Sequence, residues 1–209
     1  APDGSYSFST SLTGAFNRYN ILAVLSAGYC LGFNTEEICR AVSKLKAVPG
    51  RFEKIDLGQD FHIVVDYAHT PDALKKILTS VRLLTKCRIL CVFGCGGDRD
   101  PGKRAPMGKI VEELSDIAWV TSDNPRKEDP QKIVNEIIEG VSDSKRFRIQ
   151  LDRVKAIHEA IEEAQVGDWV VIAGKGHESD QELAQGSIKL DDRLVVKNFI
   201  SNSAKQFLN

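Results

Sequence analysis

Short apolar runs alternate with amphipathic helical patterns between residues 61 and 173. Strands that are apolar at consecutive positions are typical of a sheet covered on both faces, and single helices joining them indicate parallel pairing. We therefore predict an α/β fold with a mostly parallel sheet and helices on both faces. The predicted strands are FHIVVD (61–66), RILCVF (88–93), IAWVTS (117–122), FRIQL (147–151) and DWVVIA (168–173).

Apolar positions recur at helical spacing between these strands. Thr70 is placed to cap the first helix, and Pro71 suits its first turn. After the last strand, a short extended piece precedes a closing helix from about residue 192. The helical stripes are Leu74, Ile77, Leu78 and Val81; Met107, Ile110, Val111 and Leu114; Ile133, Val134, Ile137 and Ile138; and Val154, Ile157, Ile161 and Ala164.

The first 48 residues have a different pattern, with a polar, strand-like opening and then two apolar helices, 17–33 and 34–45. Asn34 and Glu37 are spaced for a capping box at the start of the second helix. Pro49-Gly50 breaks the pattern. We expect residues 1–48 to be the helical tail of a preceding domain and residues 49–209 to be a second domain, in a chain that starts inside a longer protein.

Composition excludes several classes of function. The net charge is −1 and the pI about 6.5, so no nucleic-acid or membrane-surface footprint is expected. No apolar run approaches the roughly 18 residues of a membrane helix, and no signal peptide opens the chain. The cysteines are odd in number, which favours reduced thiols and a cytoplasmic location. Cys87, Cys91 and Cys95 are regularly spaced, but Cys87 and Cys91 lie in or beside the apolar run CRILCVF, so buried free thiols are a better interpretation than a metal site.

Polar clusters follow four of the five predicted strands, whereas the helix-to-strand connections are plain. The carboxyl ends of parallel strands meet at one edge of a sheet, where ligands bind. This one-sidedness predicts a single polar site along that edge. The clusters are DYAHTPD (66–72), GCGGDRDPGKR (94–104), DNPR (123–126) and GKGHE (174–178).

Each cluster also has a simpler interpretation. The Gly97–Lys103 segment nearly matches a phosphate-binding loop, but Arg104 replaces the hydroxyl residue and Pro101 lacks an amide donor. A glycine-rich turn that delivers Arg99 to the site is the favoured alternative. His69 alone could be a cap or a structural histidine, and GKGHE could be only a turn. Because all four clusters are predicted to lie at the same edge of the sheet, a ligand-binding site is the favoured interpretation.

Taken in order, GAFNRYNILAV, VPGRFE, DYAHTPDAL, VFGCGGDRDPGKRAPMG, TSDNPR and AGKGHE resemble the ATP-dependent Mur ligases of bacterial cell-wall synthesis. The resemblance runs from about residue 12 to the end and is greatest to members that add meso-diaminopimelate. It implies that residues 1–48 are the tail of a central ATP-binding domain. Residues 49–209 would then be a Rossmann-like C-terminal domain that binds the amino acid and packs on its own central domain.

The resemblance also implies a reaction. ATP, with Mg²⁺, would convert the D-glutamate carboxylate of a UDP-N-acetylmuramoyl dipeptide to an acyl phosphate, which an amine of the third amino acid attacks. The phosphate loop and most Mg²⁺ ligands would lie upstream, so the isolated chain is expected to bind the amino acid without catalysis. By resemblance, the nucleotide is held by Asn20, Arg51 and Asp66, and His69 is catalytic. No metal ligand is assigned. The residues that would bind the amino acid are Arg99, Asn124, Arg126, Gly174 and Glu178.

In this family DNPR marks the diaminopimelate-adding members. One end of diaminopimelate reacts, so the enzyme must hold the carboxylate and ammonium of the other end. Arg126 can pair bidentately with that carboxylate, which lysine lacks. Arg99 and Asn124 would complete the contact, Gly174 would offer its carbonyl and Glu178 would pair with the ammonium.

Four other interpretations stay open at this point. A lysine-adding Mur ligase or a folylpolyglutamate synthetase-like domain shares the architecture, although the latter should lack this set of motifs. A non-catalytic ligand-binding domain is the interpretation from a different class. A Rossmann dehydrogenase is weaker, because no G-x-G-x-x-G follows an early strand.

Overall fold

The computed structural model describes residues 4–12, 14–46 and 48–206. The chain divides into two compact units, Ala1–Val48 and Pro49–Asn209. The assignment of the first unit to an ATP-binding domain stays a prediction. Within the described ranges, no helix is long and apolar enough to cross a membrane.

The first unit contains two helices, α1 (Ala15–Cys30) and α2 (Thr35–Ser43). They approach closely at Gly28, where a Cβ atom would lie 2.6 Å from Ile38 Cδ1. Asn34 Oδ1 accepts a hydrogen bond from the Glu37 amide at 3.1 Å, which confirms the predicted cap. The predicted strand-like opening is wrong, because residues 4–12 form no strand and the described part of this unit offers no strand to pair with.

The second unit is built on a six-stranded sheet in the order β1-β2-β6-β3-β4-β5. Strands β2 to β6 are parallel, and β1 pairs antiparallel with β2. The mostly parallel sheet confirms the predicted fold class. The strands are β1 (Glu53–Ile55), β2 (His62–Asp66), β3 (Ile89–Phe93), β4 (Ile117–Val120), β5 (Phe147–Ile149) and β6 (Trp169–Ala173).

Five helices flank this sheet: α3 (Pro71–Arg82), α4 (Arg104–Leu114), α5 (Pro130–Ile138), α6 (Arg153–Glu163) and α7 (Asp192–Gln206). Helix α4 packs between α3 and α5, while α6 packs against α7. Ala156, Ile157 and Val196 of the second pair share a buried core with alternate strand residues such as Val92 and Ile172. Each strand alternates its side chains between two faces, so continuous apolar strands suit helices on both.

Local signals place the helix starts where the sequence predicts them. Thr70 Oγ1 accepts a hydrogen bond from the Ala73 amide at 3.3 Å, and Pro71 is the first residue of α3. Asp129 caps α5 in the same way through the Gln131 amide. Each cap satisfies a backbone donor that the helix itself cannot pair.

Two strands of the second unit were not predicted: β1, at the sheet edge, and β7 (Asp180–Leu183). The short extended piece predicted before the closing helix is β8 (Gly186–Lys189), which pairs with β7 in a separate hairpin. The prediction of a buried thiol is confirmed for Cys91 and is wrong for Cys87, which lies in the exposed connection before β3. Cys95 is also buried, and burial raises the pKa of Cys91 and of Cys95 to about 12.

Candidate functional site

The parallel strands end level with one another. In the sheet register Asp66 at the end of β2 is paired with Ala173 at the end of β6. Phe93 at the end of β3 is likewise paired with Val120 at the end of β4. The four polar clusters therefore leave the sheet along one edge, where a ligand site is expected.

The glycines after β3 allow that loop to lie against the loop after β4. A Cβ atom on Gly94 would lie 2.1 Å from the Thr121 carbonyl oxygen, and one on Gly97 would lie 2.0 Å from that of Pro125. The Gly97 amide also donates to the Asn124 carbonyl at 2.9 Å. These glycines are needed for close contact between two backbones.

The end of this loop differs from a phosphate cradle. Arg104 is buried and pairs with Glu128 at 2.9 Å and Glu136 at 2.6 Å, so it joins the loop to helix α5 and the segment before it. Lys103 Nζ donates to the His69 carbonyl at 3.0 Å. Arg104 has a packing role where a phosphate loop would carry a hydroxyl.

Arg126 lies in the left-handed backbone region, with φ of 53°. Its Nε is 2.7 Å from Glu182 Oε2, and its Nη1 donates to the Gly97 carbonyl at 2.9 Å. Its backbone amide donates to the Glu182 carbonyl at 3.0 Å, which joins the DNPR loop to β7. The guanidinium is therefore held by both neighbouring segments.

Asn124 and Glu178 are in direct contact. Asn124 Nδ2 donates to Glu178 Oε2 at 2.9 Å. Lys175 Nζ donates to the same oxygen at 2.9 Å and to Asn124 Oδ1 at 3.0 Å. A buried ammonium thus connects the DNPR and GKGHE loops.

The pKa values of the two carboxyl groups in these loops, Glu178 and Asp123, shift in opposite directions. Burial favours the neutral form of Glu178, but hydrogen bonds from Lys175 and Asn124 outweigh it and lower the pKa of this group. Burial raises the pKa of Asp123, although Arg153 and Lys175 oppose the shift. Asp123 also leaves no room for a side chain at position 174, because a Cβ atom on Gly174 would lie 2.5 Å from Asp123 Oδ2.

Arg99 is exposed and lies beside the same loops. A Cβ atom on Gly96 would be 3.7 Å from Arg99 Cγ and 3.0 Å from Arg126 Nη1, so both arginines flank this glycine. Arg99 Nη1 donates to the Asp98 carbonyl at 3.1 Å. The structure therefore brings Arg99, Arg126, Asn124 and Glu178 to one part of the sheet edge.

His69 occupies the neighbouring part of the edge. Its Nδ1 donates to the Tyr67 carbonyl at 2.8 Å, and its ring meets the Tyr67 ring edge-on at 4.6 Å. The Arg51 guanidinium lies 4.6 Å from the centre of the same ring, which also contacts His177 at 5.4 Å. Tyr67 thus organises a basic, aromatic patch after β2.

Asp66 is buried at the end of β2. Its Oδ2 accepts from the Phe52 amide at 2.7 Å and its Oδ1 from the Ala68 amide at 2.8 Å. Burial raises its pKa, and the two amides partly offset that shift. Asn20 belongs to the first unit, on α1, where its Nδ2 donates to Asn17 Oδ1 at 3.2 Å.

A magnesium site does not fit the residues described. Among them, no three or more His, Cys, Asp or Glu side chains cluster in a way that could hold a metal ion. We derive no metal-dependent step from this part of the chain.

A family model described as "Mur ligase, glutamate ligase domain" matches residues 50–176. The chain belongs to the Mur ligase family. The match covers β1 to β6 and the polar clusters as far as Gly176, which confirms the resemblance drawn from the motifs.

The curated Mur ligases similar to this chain include two named UDP-N-acetylmuramoyl-L-alanyl-D-glutamate–2,6-diaminopimelate ligase. The one from Syntrophomonas wolfei subsp. wolfei is 48% identical over 97% of this chain, and the one from Geobacillus kaustophilus is 48% identical over 94%. A solved structure of a ligase with the same name is 40% identical, with a TM-score of 0.74 over 97% of this chain. The chain spans only 42%, 40% and 42% of these Mur ligases, respectively.

Sequence reasoning missed two residues of the site. Lys175 lies in GKGHE, but only Gly174 and Glu178 of that motif were predicted to bind the amino acid. Glu182 lies in the unpredicted hairpin, so nothing in the periodicity of the chain pointed to its contact with Arg126. A lysine enclosed by two glycines after a buried strand was the available signal for the first.

Proposed function

We propose that this chain is the amino-acid-binding part of an ATP-dependent ligase that adds meso-diaminopimelate to UDP-N-acetylmuramoyl-L-alanyl-D-glutamate. The complete ligase acts in the cytoplasm, where it forms an acyl phosphate that an amine of diaminopimelate attacks. The rest of the ligase supplies the phosphate loop and the Mg²⁺ ligands. The chain alone binds the amino acid and leaves ATP intact.

One observation carries this proposal: Arg126 and Glu178, which have opposite charges, lie on either side of Asn124. Arg126 Nη1 is 3.4 Å from the Asn124 carbonyl oxygen, and Glu178 Oε2 is 2.9 Å from Asn124 Nδ2. The far end of diaminopimelate carries a carboxylate and an ammonium on one carbon. A cation and an anion held a short distance apart are complementary to that pair.

The other proposed ligands complete this arrangement. Arg99 adds a second guanidinium beside Arg126, and the Gly174 carbonyl adds an acceptor near Glu178. Lysine offers an ammonium but no carboxylate at its far end, so it would form no charged hydrogen bond with either guanidinium. A site built to hydrogen-bond a polar group discriminates strongly against an analogue that lacks that group.

We assign the patch after β2 to the joining point. His69 and the aromatic ring of Tyr67 face the end of the UDP-linked substrate, and His69 acts on the reacting groups. Arg51 and Asp66 contact the nucleotide, since a guanidinium suits phosphate and a carboxylate accepts from ribose hydroxyls. Asn20 contributes an amide for the adenine edge. The apolar residues that α1 leaves exposed, such as Leu22 and Tyr19, suit packing within a larger central domain.

The experiment has two parts. Calorimetry of the isolated chain with meso-diaminopimelate and with L-lysine is expected to show binding of the first only. Phosphate release by the complete ligase, with ATP, Mg²⁺ and the UDP-linked dipeptide, is expected to require diaminopimelate. Turnover that prefers lysine would refute the proposed substrate, and ATP hydrolysis by the isolated chain would refute its assigned role.

A further inference from the structure

Lys175 is fully buried, which is rare for a lysine unless it is paired, and its partner is Glu178. It lies between Gly174, with φ of 119°, and Gly176, with φ of 54°. A Cβ atom on Gly176 would lie 2.7 Å from Tyr67 Cβ, so the backbone at this point runs against the loop after β2. This path turns the Lys175 side chain inward, beneath the proposed ligand groups.

The Lys175 ammonium has three donors and meets three oxygens. They are Asn124 Oδ1 at 3.0 Å, Glu178 Oε2 at 2.9 Å and the Asp180 carbonyl at 2.6 Å. An ammonium has no acceptor capacity and three hydrogens, so these contacts satisfy it fully. The cost of burying the charge is offset by these bonds and by the Glu178 carboxylate.

These contacts also determine how Asn124 is oriented. Its Oδ1 accepts from Lys175 and from the Glu182 amide at 3.0 Å, so the oxygen must face these donors. Its Nδ2 therefore faces Glu178. Both of these bonds to Glu178 go to the same carboxylate oxygen, Oε2.

We propose that Lys175 is a positioning residue for amino-acid binding: it holds Asn124 and Glu178 in the arrangement that receives the ammonium of the incoming amino acid. The inference rests on the proposed function of the site. Lys175 does not touch the ligand in this arrangement. It acts through two residues that belong to different loops, and it reinforces the hydrogen bond that joins these two residues directly.

The lowered pKa of Glu178 agrees with this role, because the Lys175 contact is the largest of the influences that oppose burial. A purely structural lysine would affect folding stability and, through its charge, the pKa of Glu178. A positioning lysine must also affect the Michaelis constant for the amino acid. The Michaelis constant therefore separates the two roles, while the titration of Glu178 tests the contact on which positioning depends.

The test uses the complete ligase and the variants Lys175→Met, Glu178→Gln and the double variant. Michaelis constants are measured for ATP and for whichever amino acid the wild type adds. We expect Lys175→Met to raise the KM for the amino acid at least tenfold and to change the KM for ATP less than twofold. The double variant should be no more than about threefold worse than the worse single variant, because both changes remove one unit.

A matched control removes a cation far from the site. Arg88→Met breaks the 2.6 Å ion pair with Asp168, which precedes β6 at the opposite sheet edge. It should lower the unfolding midpoint while leaving the KM for the amino acid within twofold. If Lys175→Met behaves like this control, or if its effect and that of Glu178→Gln multiply, the positioning role is wrong.

A second measurement does not depend on turnover. Carboxyl ¹³C NMR of the isolated chain should show the Glu178 pKa rising from wild type to Lys175→Gln, a variant that keeps an amide donor and loses the charge. An unchanged Glu178 pKa would overturn the inference. If the wild-type ligase adds lysine, the proposed substrate fails, whereas Lys175 is still judged by the KM for lysine and by this titration.

Discussion

The guanidinium of Arg126 is paired with a carboxylate of the protein itself, since its Nε lies 2.7 Å from Glu182 Oε2. The Glu182 backbone is held in place as well, by the Arg126 amide on one side and Asn124 Oδ1 on the other. A substrate carboxylate approaching Arg126 therefore meets a guanidinium that already has one anionic neighbour.

Glu182→Gln should strengthen binding of diaminopimelate. Half of the Glu182 side chain is exposed, and exposed ion pairs contribute about 0.2–1 kcal/mol, so the expected gain is about 1.4- to fivefold. Calorimetry on the isolated chain, at two salt concentrations, measures it. Glu139→Gln, at the exposed end of α5, is the matched control and should change nothing. Weaker binding by Glu182→Gln would mean that Glu182 orients Arg126 instead of competing for it.

Arg126→Ala should lower kcat/KM for diaminopimelate in the complete ligase by about 10²-fold or more, because charged hydrogen bonds contribute about 1.5–3 kcal/mol each. Arg126→Lys should recover only part of this, since an ammonium lacks the planar fork. Lysine should stay a poor substrate with every variant.

The backbone of Arg126 calls for a further control. Its φ of 53° is a conformation that Asn adopts more readily than Ala, so Arg126→Asn removes the guanidinium with less backbone strain. Both variants should show the same loss. If both variants turned over diaminopimelate within about twofold of wild type, the loss would be well below the contribution of one charged hydrogen bond. Arg126 would then have no part in selectivity.

Gly174→Ala should both destabilise the chain and weaken amino-acid binding. The new Cβ atom would meet Asp123 Oδ2 at 2.5 Å and would force a side chain into φ of 119°. Backbone strain of this kind costs about 1–3 kcal/mol, and the clash adds to it. Gly58→Ala is the control, because Gly58 also has a positive φ, of 89°, but has open space around it. Urea unfolding of the two variants measures the contribution of the clash to the free energy of unfolding. An equal loss of unfolding free energy in both variants would show that the clash contributes nothing.

Acid should weaken the fold partly through Asp168. Burial would raise the pKa of this carboxyl, but its hydrogen bonds, chiefly from Arg88, lower it below the usual value of 3.8. A carboxyl with a lowered pKa in the folded state stabilises the fold above its unfolded pKa. That contribution is lost as the pH falls through the lowered value. Asp168→Asn should therefore reduce the unfolding free energy near neutral pH and flatten its decline below pH 4, measured by urea titration. A pH profile parallel to wild type would contradict the assignment.

Much of the fold could be predicted because its signals are local. Strands β3 and β6 are continuously apolar, β2 is apolar from Ile63 to Val65, and Thr70 with Pro71 starts α3 through hydrogen bonds between near neighbours. Strands β1 and β7 escaped prediction, because they are short and only partly buried, so their sequences lack a clear alternation. Strand β8 was expected only as a short extended piece, and its pairing with β7 was not predicted.

The sequence by itself determined the edge at which the polar site lies, since parallel strands must present their carboxyl ends together. It also supplied the family, through motifs in a recognisable order. Only the tertiary structure decided the contacts within the site. Lys175 reaches Asn124 across 51 positions of the chain, and Arg126 meets Glu182 through a hairpin that pairs with its loop. Such contacts depend on how separate loops pack above the sheet, and no periodicity or spacing within one segment encodes the distance to another.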